Sequence, residues 1–456
     1  MTAAEDPVES RRGFRHRRLR LAAATSLLSK GIGLVLQLVA VPLAIGALGA
    51  ERFGVYTMLV SVLVWIDLGA FGMGPGLTRK IAVAWNSGDI AAEGRYFSSA
   101  IAILLLICLV LSAVFATGML VVFRGGLSLA PLFGPAGDAL RGEIHGALLV
   151  IATFFLAQLL FSCGERARSA YQEDYLNNAM YVVANCISLV LMFMIARHWP
   201  TIPGFALAVF GALTLVKGLN MVLLVAASRP YLFPRFSNVD RATARELVGN
   251  GAPFWLIQAA SLSMHNFSLV LLGVIAGPDV LAPFAAVFRL FQLLATGVTM
   301  LTQPLWPSVT DACVRGDFAW IRRVYVRAIA YVMLYCSGVF LVFALAGDWL
   351  IRSWLKGHIA VDHTLVVGMA AYFAVWMWNN LHTSLFFGLG WLWQAAFCLL
   401  LEGACVLLVG GFLARSYGAL GTLDGLLAGG ALVSAWVLPL LLRTGKFGQR
   451  WAEKKD

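Results

Sequence analysis

The stretch YFSSAIAILLLICLVLSAVFATGMLVVF, residues 96–123, contains no charged side chain over its whole length. A helix needs about 20 predominantly apolar residues to cross the roughly 30 Å of hydrocarbon in a bilayer. The run is continuous and shows no alternation of apolar and polar residues, as a strand of a membrane barrel would. It therefore predicts a membrane-spanning helix.

The composition of the whole chain agrees with this prediction. Only 12% of the 456 residues are charged, whereas a soluble protein carries about 25%. The mean hydropathy is +0.82. These values exclude soluble enzymes and most nucleic-acid-binding proteins, and we expect no nucleic-acid partner. The net charge of +11 is interpreted by position, because basic residues beside spans set their orientation.

Eleven further apolar runs bring the predicted number of spans to twelve. The first run is too long for the apolar core of a cleavable signal peptide, so we interpret it as a retained helix. The fold class is therefore all-α integral membrane. The predicted spans are 21–46, 53–82, 96–123, 146–165, 177–196, 202–228, 248–276, 281–311, 324–346, 364–388, 391–413 and 417–442.

The distribution of Lys and Arg predicts the orientation. With a cytoplasmic N-terminus, 24 of the 34 basic residues fall at cytoplasmic ends and loops, seven fall at external ones, and three lie within spans. Basic residues concentrate on the cytoplasmic side of membrane proteins. We therefore expect a multi-pass membrane protein with both termini in the cytoplasm.

An internal repeat predicts two halves. Shifting the sequence by 228 residues places Gly88-Asp89 on Gly316-Asp317 and Arg95 on Arg323. Two six-helix halves in the same orientation are a transporter architecture. The predicted parts are a basic N-terminus (1–20), an N-terminal lobe (21–228), a cytoplasmic linker (229–247), a C-terminal lobe (248–442) and a basic tail (443–456).

Motifs for catalysis and for phosphate binding are absent from the sequence. No Lys precedes Ser or Thr, so there is no Walker A loop, and no His precedes Glu, as zinc hydrolases of the HExxH type require. The seven cysteines form no CxxC pair. We expect no enzymatic activity, no metal and no cofactor.

Ionisable residues inside spans are costly, and they face a cavity or a partner by default. Lys30 lies in the first predicted span and Gln37 follows on the same helical face. Lys30 either pairs with Asp67 of the second span or faces a central cavity, where it and Gln37 would bind substrate. The two roles are compatible.

The second half carries its own candidates. Arg289, in the eighth span, is either an anion ligand or a residue that extends to the lipid headgroups. Glu402, near the middle of the eleventh span, is either a proton or sodium site or the partner of a basic residue. With Lys30, Arg289 predicts a positive cavity that spans both halves.

The second span also contains helix-breaking and small residues, namely Gly72, Gly74, Pro75 and Gly76. Proline removes a backbone donor, and small residues allow close helix contact. We therefore expect either a kink of the kind found in transporter helices or a tight packing seam.

Several motifs then resemble a known family. They are residues 48–56 (LGAERFGVY), 67–69 (DLG) with the glycines that follow, 78–82 (TRKIA) and 88–89 (GD). Together they are similar to the O-antigen and exopolysaccharide flippases of the multidrug/oligosaccharidyl-lipid/polysaccharide exporter superfamily. Beyond residue 95 the similarity is one of layout alone.

The resemblance implies a V-shaped, two-lobed transporter of the bacterial cytoplasmic (inner) membrane. It would move undecaprenyl-pyrophosphate-linked oligosaccharide by alternating access. Its partners would be this lipid-linked anionic oligosaccharide, membrane lipids, a polysaccharide polymerase and a chain-length regulator. The alternatives are a drug or metabolite antiporter of the same superfamily, and an integral-membrane glycan polymerase or ligase. An acid-lined cavity would favour the antiporter, and a large external loop rich in Arg or His would favour the polymerase.

Overall fold

A computed structural model describes residues 7–63, 73–249, 252–302 and 305–444. Within these ranges nearly every residue is helical and there is no strand. The helices up to the linker are α1 (Pro7–Leu63), α2 (Met73–Ser87), α3 (Ile90–Met119), α4 (Ala130–Phe133), α5 (Ala136–Ala139), α6 (Arg141–Ala170), α7 (Asp174–His198), α8 (Ile202–Ala206) and α9 (Ala212–Leu223).

The later helices begin with one that lies in the linker. They are α10 (Arg241–Gly249), α11 (Ala252–Leu262), α12 (Ser268–Ala276), α13 (Pro278–Thr302), α14 (Leu305–Arg315), α15 (Phe318–Trp354), α16 (His363–Gly388), α17 (Leu392–Gly429) and α18 (Ala435–Thr444). Five π-helical turns interrupt or extend these helices, at Leu120–Arg124, Leu207–Gly211, Leu224–Ser228, Ser263–Phe267 and Gly430–Ser434.

The prediction of an all-α membrane protein is confirmed. Nine helices in the described ranges are long and apolar enough to span a bilayer. Two of them are pairs joined at a glycine with non-helical dihedral angles, Gly49 in α1 and Gly418 in α17. Helix α16 is not among the nine, because Asn379, Asn380 and His382 lower its hydropathy. Counting each pair as two helices and adding α16 gives a number consistent with the twelve predicted.

The chain divides into two compact units. The first comprises the described parts of Met1–Leu43, Ile66–Leu127 and Gly142–Ala252, and the second those of Ala44–Trp65, Ser128–Arg141 and Pro253–Asp456. The second unit thus includes two segments from the first half of the sequence. The division into lobes at 21–228 and 248–442 stays a prediction.

In the first unit, the linker packs against α3. The backbone N–H of Arg235 donates to Ser98 Oγ at 3.3 Å, and that of Asp240 donates to Ser99 Oγ at 3.1 Å. Asp240 then accepts from the N–H of Thr243 at 2.9 Å in the first turn of α10. These hydrogen bonds fix the predicted linker as a structured element of the first unit.

In the second unit, small residues allow helices to approach closely. A Cβ atom added to Gly425 would lie 2.3 Å from the Cα atom of Gly410, which is on the other arm of α17. A Cβ atom on Gly273 of α12 would lie 2.3 Å from the sulfur of Met58 in α1. Such contacts are typical of helix packing in membranes, where van der Waals contact replaces the hydrophobic effect.

Candidate functional site

Arg289 lies on α13, a helix that contributes to the aromatic core of the second unit. Phe284, Phe288 and Phe291 are buried on this helix. Arg289 itself is half-buried, and its Nη1 atom donates to Gln292 Oε1 at 3.3 Å, one turn further along. The Tyr56 side chain is close enough for an electrostatic interaction with the guanidinium. Among the residues that the structure describes, no carboxylate forms an ion pair with Arg289.

Glu402 has a different environment. Its side chain is buried in α17, with 2% exposure. Asn379 Nδ2 on α16 donates to Glu402 Oε1 at 3.3 Å, and the Ser434 hydroxyl donates to Glu402 Oε2. Within the described ranges Glu402 contacts no Lys or Arg. The predicted role as the partner of a basic residue therefore has no support among these residues.

The elements around Glu402 explain how it is enclosed. Ser434 reaches the carboxylate from the π-helical turn Gly430–Ser434. A Cβ atom added to Gly430 would lie 3.4 Å from Glu402 Oε1, so the backbone of that turn approaches the carboxylate closely. The Oδ1 atom of Asn379 is buried without a hydrogen-bond partner in the described structure. The carboxylate is therefore held by two neutral donors in an apolar interior.

Lys30 and Gln37 belong to the first unit, on α1. Lys30 is half-buried and Gln37 is exposed. This part of α1 packs against α7, where Asn178 Nδ2 donates to Thr25 Oγ1 at 3.2 Å. Asp67 lies outside the described residues, so the Lys30–Asp67 pair stays a prediction, as does substrate binding by Lys30 and Gln37.

The glycine-rich segment is described in part. Gly72 lies outside the described residues, and Gly74, Pro75 and Gly76 fall in the first turn of α2. A Cβ atom on Gly74 would lie 2.7 Å from Arg166 Nε, and one on Gly76 would lie 3.5 Å from the Leu247 carbonyl oxygen. Gly74 therefore allows close packing, whereas a Cβ atom at Gly76 would make only an ordinary contact. The predicted kink remains untested.

The sequence did not indicate a buried ionic network where the linker joins the first unit. Arg168 Nη1 lies 3.2 Å from Glu173 Oε2, and Arg229 Nη2 lies 3.0 Å from Glu173 Oε1. The Arg229 guanidinium also lies 3.6 Å from the centre of the Tyr171 ring. The one signal in the sequence was Glu173, an acidic residue near basic ones at the ends of predicted spans.

Tyr171 and Tyr231 extend this network to α3. The Tyr171 hydroxyl donates to Glu93 Oε2, and the Tyr231 hydroxyl donates to the same oxygen at 3.0 Å. Burial raises the pKa of Tyr171, and its hydrogen bond to Glu93 raises that pKa further. The phenol therefore stays protonated and acts as a donor. Since every charged member has a partner, the arrangement stabilises the first unit and offers no obvious ligand site.

The described residues contain no group of three or more His, Cys, Asp or Glu side chains that could hold a metal ion. The candidate site therefore rests on Arg289 and its neighbours, with Glu402 as a separate buried group.

Comparison with protein families gives a match over most of the chain. Residues 22–312 match the family described as polysaccharide biosynthesis protein. The chain belongs to this family. The match begins within α1 and ends within α14, and it includes Lys30 and Arg289.

Individual relatives of the chain are close to it in length. A candidate O-antigen transporter of Salmonella typhi is 23% identical over 432 residues, which is 92% of this chain and 95% of the relative. A candidate O-antigen export protein of Yersinia pseudotuberculosis is 21% identical over 438 residues, 93% of this chain and 95% of the relative.

Solved structures identify the fold of this family member. The inward-facing conformation of a multidrug resistance MATE family transporter of the MOP superfamily matches with a TM-score of 0.76 at 16% identity, over 92% of this chain and 96% of that one. A MOP superfamily transporter from Pyrococcus furiosus with a binding pocket of reverse polarity matches with a TM-score of 0.67 at 15% identity, over 97% of both chains. The chain therefore has the fold of these MATE-type transporter structures.

Proposed function

We propose that this protein is a flippase that moves undecaprenyl-pyrophosphate-linked oligosaccharide across the bacterial cytoplasmic membrane by alternating access. The cargo would serve surface polysaccharide synthesis, as O-antigen, capsule or exopolysaccharide. The names of the Salmonella and Yersinia relatives support a polysaccharide cargo. The same proposal places both termini in the cytoplasm and the protein in the inner membrane. It also includes a polymerase and a chain-length regulator as partners.

One observation carries the choice of an anionic cargo. In the second unit the deep cation, Arg289, is half-buried without a carboxylate partner among the described residues, whereas the deep acid, Glu402, is 2% exposed and enclosed by two donors. A charge in a low-dielectric environment interacts strongly with an opposite charge. Arg289 is the more accessible of these two charged residues. Its positive charge therefore favours a pyrophosphate and disfavours a cationic drug.

Arg289 is suited to this role by its chemistry. A guanidinium presents five N–H donors in a planar fork that matches phosphate oxygens. Gln292 occupies one of these donors and thereby orients the fork. Lys30, in the first unit, is proposed as a second phosphate ligand on the basis of its charge and depth in the sequence.

Glu402 is proposed as the group through which an ion gradient is coupled to transport. Its two partners are neutral, so the carboxylate can gain or lose a proton without breaking an ion pair. No hydrolysis motif is present in the sequence, so the driving force must come from a gradient, the membrane potential or the consumption of the cargo.

Deletion of the gene tests the proposal. We expect the deletion strain to lose its surface polysaccharide and to accumulate lipid-linked oligosaccharide in the cytoplasmic leaflet, and the intact gene to reverse both effects. The drug-antiporter alternative predicts unchanged polysaccharide and a lower tolerance of cationic drugs. The polymerase alternative predicts that single repeat units still reach the cell surface.

A further inference from the structure

Helix α13 carries a polar face along its C-terminal half. Between Val280 and Phe288 the helix has no polar side chain, whereas Arg289, Gln292, Thr296 and Thr299 follow at spacings of three and four residues. These spacings place the four side chains on one side of a helix. They extend over about 15 Å at a rise of 1.5 Å per residue. We call this set the polar face of α13.

All four residues of the polar face are half-buried. The aromatic side of the same helix is packed, with the Phe291 ring tilted against those of Phe343 and Phe373 at centroid distances of 4.8 and 5.7 Å. A guanidinium and a carboxamide at this depth are costly when exposed to lipid. The polar face is therefore expected to border water or a polar ligand.

Beyond Arg289, the side chains of the polar face are uncharged and offer both hydrogen-bond donors and hydrogen-bond acceptors. Gln292 Oε1 accepts from Arg289, which leaves the Gln292 amide N–H groups without a partner among the described residues. The Thr296 and Thr299 hydroxyls donate to backbone carbonyls of their own helix, at 3.4 and 3.1 Å. Their oxygen lone pairs thus remain as acceptors. Sugar hydroxyls, which both donate and accept, match such a row of donors and acceptors.

We propose that the polar face of α13 binds the first sugars of the lipid-linked glycan, with Gln292, Thr296 and Thr299 contacting sugar hydroxyls while Arg289 binds the pyrophosphate. The inference rests on the proposed function, because it takes the cargo to be a glycan joined to a pyrophosphate. It adds specificity-determining residues. The linear order of charge followed by neutral polar groups along the helix corresponds to the order of pyrophosphate and sugars in such a lipid.

The test compares two ligands on the purified full-length protein in nanodiscs. One is undecaprenyl pyrophosphate without sugar, and the other is lipid-linked oligosaccharide extracted from the deletion strain, in which it accumulates. Intrinsic tryptophan fluorescence or native mass spectrometry gives both affinities. The variants are Gln292→Ala, Thr296→Val, Thr299→Val and Arg289→Ala. Thr117→Val is the matched control, since Thr117 is exposed on α3 and its hydroxyl also donates to its own helix, at 2.8 Å.

Loss of one neutral hydrogen bond is expected to weaken binding about three- to tenfold. We expect Thr296→Val and Thr299→Val to weaken binding of the oligosaccharide by this factor while leaving that of undecaprenyl pyrophosphate within twofold of wild type. Gln292→Ala should weaken binding of both ligands, and that of the oligosaccharide more, because Gln292 also orients the Arg289 guanidinium. Arg289→Ala should weaken both, and Thr117→Val neither. Thr296→Ser and Thr299→Ser, which keep the hydroxyl, should restore binding.

Three results would contradict one or both proposals. Equal effects of Thr296→Val and Thr299→Val on both ligands, or no effect of either on the oligosaccharide, would overturn the sugar-binding role and leave the flippase proposal intact. Failure of the wild-type protein to bind either ligand would overturn the proposed function itself. Weak binding by all variants, with the Thr117→Val control also affected, would assign the losses to general destabilisation and count against a specific sugar site.

Discussion

The guanidinium of Arg289 donates a hydrogen bond of 3.3 Å to the side-chain oxygen of Gln292, one turn away on the same helix. The bond fixes the direction of a cation that has no carboxylate partner in the described structure. An amide orients a guanidinium without neutralising its charge. A carboxylate in the same place would neutralise that charge. The charge thus remains available to an anionic ligand.

The first prediction concerns Arg289. In the deletion strain, Arg289→Ala should reduce surface polysaccharide at least tenfold, since a hydrogen bond to a charged group contributes about 1.5–3 kcal/mol. Arg289→Lys should retain part of the activity, because it keeps the charge and loses the planar fork. Polysaccharide would be measured on gels after membrane levels of each variant are matched.

A control for this experiment is Arg315→Ala. Arg315 is exposed at the end of α14 and pairs with Asp311 at 3.0 Å. It should have no effect on polysaccharide. Wild-type polysaccharide from Arg289→Ala would rule out a pyrophosphate-binding role for this residue.

The second prediction concerns Glu402. Glu402→Gln keeps the shape of the side chain and removes its ability to ionise, so a coupling role predicts normal membrane levels with loss of transport. Thr383→Val is the control for packing, because Thr383 is buried on the same helix as Asn379 and its hydroxyl donates to the Asn379 carbonyl and not to Glu402. Uptake of protons on addition of cargo, followed with a pH-sensitive dye inside vesicles, provides the measurement. Full transport by Glu402→Gln across a range of pH would show that the carboxylate is structural.

The third prediction concerns the network around Glu173. Glu173→Gln leaves Arg168, which is 3% exposed, and Arg229 without their shared carboxylate. Breaking a buried ion pair from one side costs roughly 3–5 kcal/mol. We expect a clearly lower thermal unfolding temperature in detergent, whereas Asp311→Asn, in an exposed ion pair, should change it little. Equal unfolding temperatures for the two variants would contradict the stabilising role of the network.

The fourth prediction concerns orientation. An alkaline phosphatase fusion after Gly134 should be active, because this position is predicted to be external, whereas a fusion near Asn238 should be inactive and a fluorescent-protein fusion there should fluoresce. The basis is the concentration of Lys and Arg on the cytoplasmic side. The reverse pattern at either position would overturn the orientation.

Much of the fold was predictable because the spans are local features of the sequence. The run at 96–123 corresponds to α3 and the π-helical turn Leu120–Arg124, and the end of the eighth span at 311 falls within α14. The inclusion of Ala44–Trp65 in the second unit was not predictable. It depends on contacts such as Met58 with Gly273, which lie far apart in the sequence.

The same distinction applies to the candidate site. Arg289 was predicted from its charge within a span, whereas its neighbour Gln292 was not singled out in the sequence. The partners of Glu402 come from two other helices, and Ser434 stands in a π-helical turn whose altered periodicity shifts the direction of its side chain. Sequence periodicity carries no information about such distant pairings. Lys30 and Asp67 remain a prediction from the sequence alone.

The most direct measurement is transport of the cargo by the purified protein. Fluorescently labelled undecaprenyl-pyrophosphate-linked oligosaccharide would be placed in both leaflets of proteoliposomes, and a membrane-impermeant quencher would report how much of it reaches the outer leaflet over time. Wild-type vesicles should make the protected half of the label accessible much faster than protein-free vesicles, and Arg289→Ala vesicles should not. Equal rates in wild-type and protein-free vesicles, under an imposed gradient of protons or sodium, would contradict the flippase function.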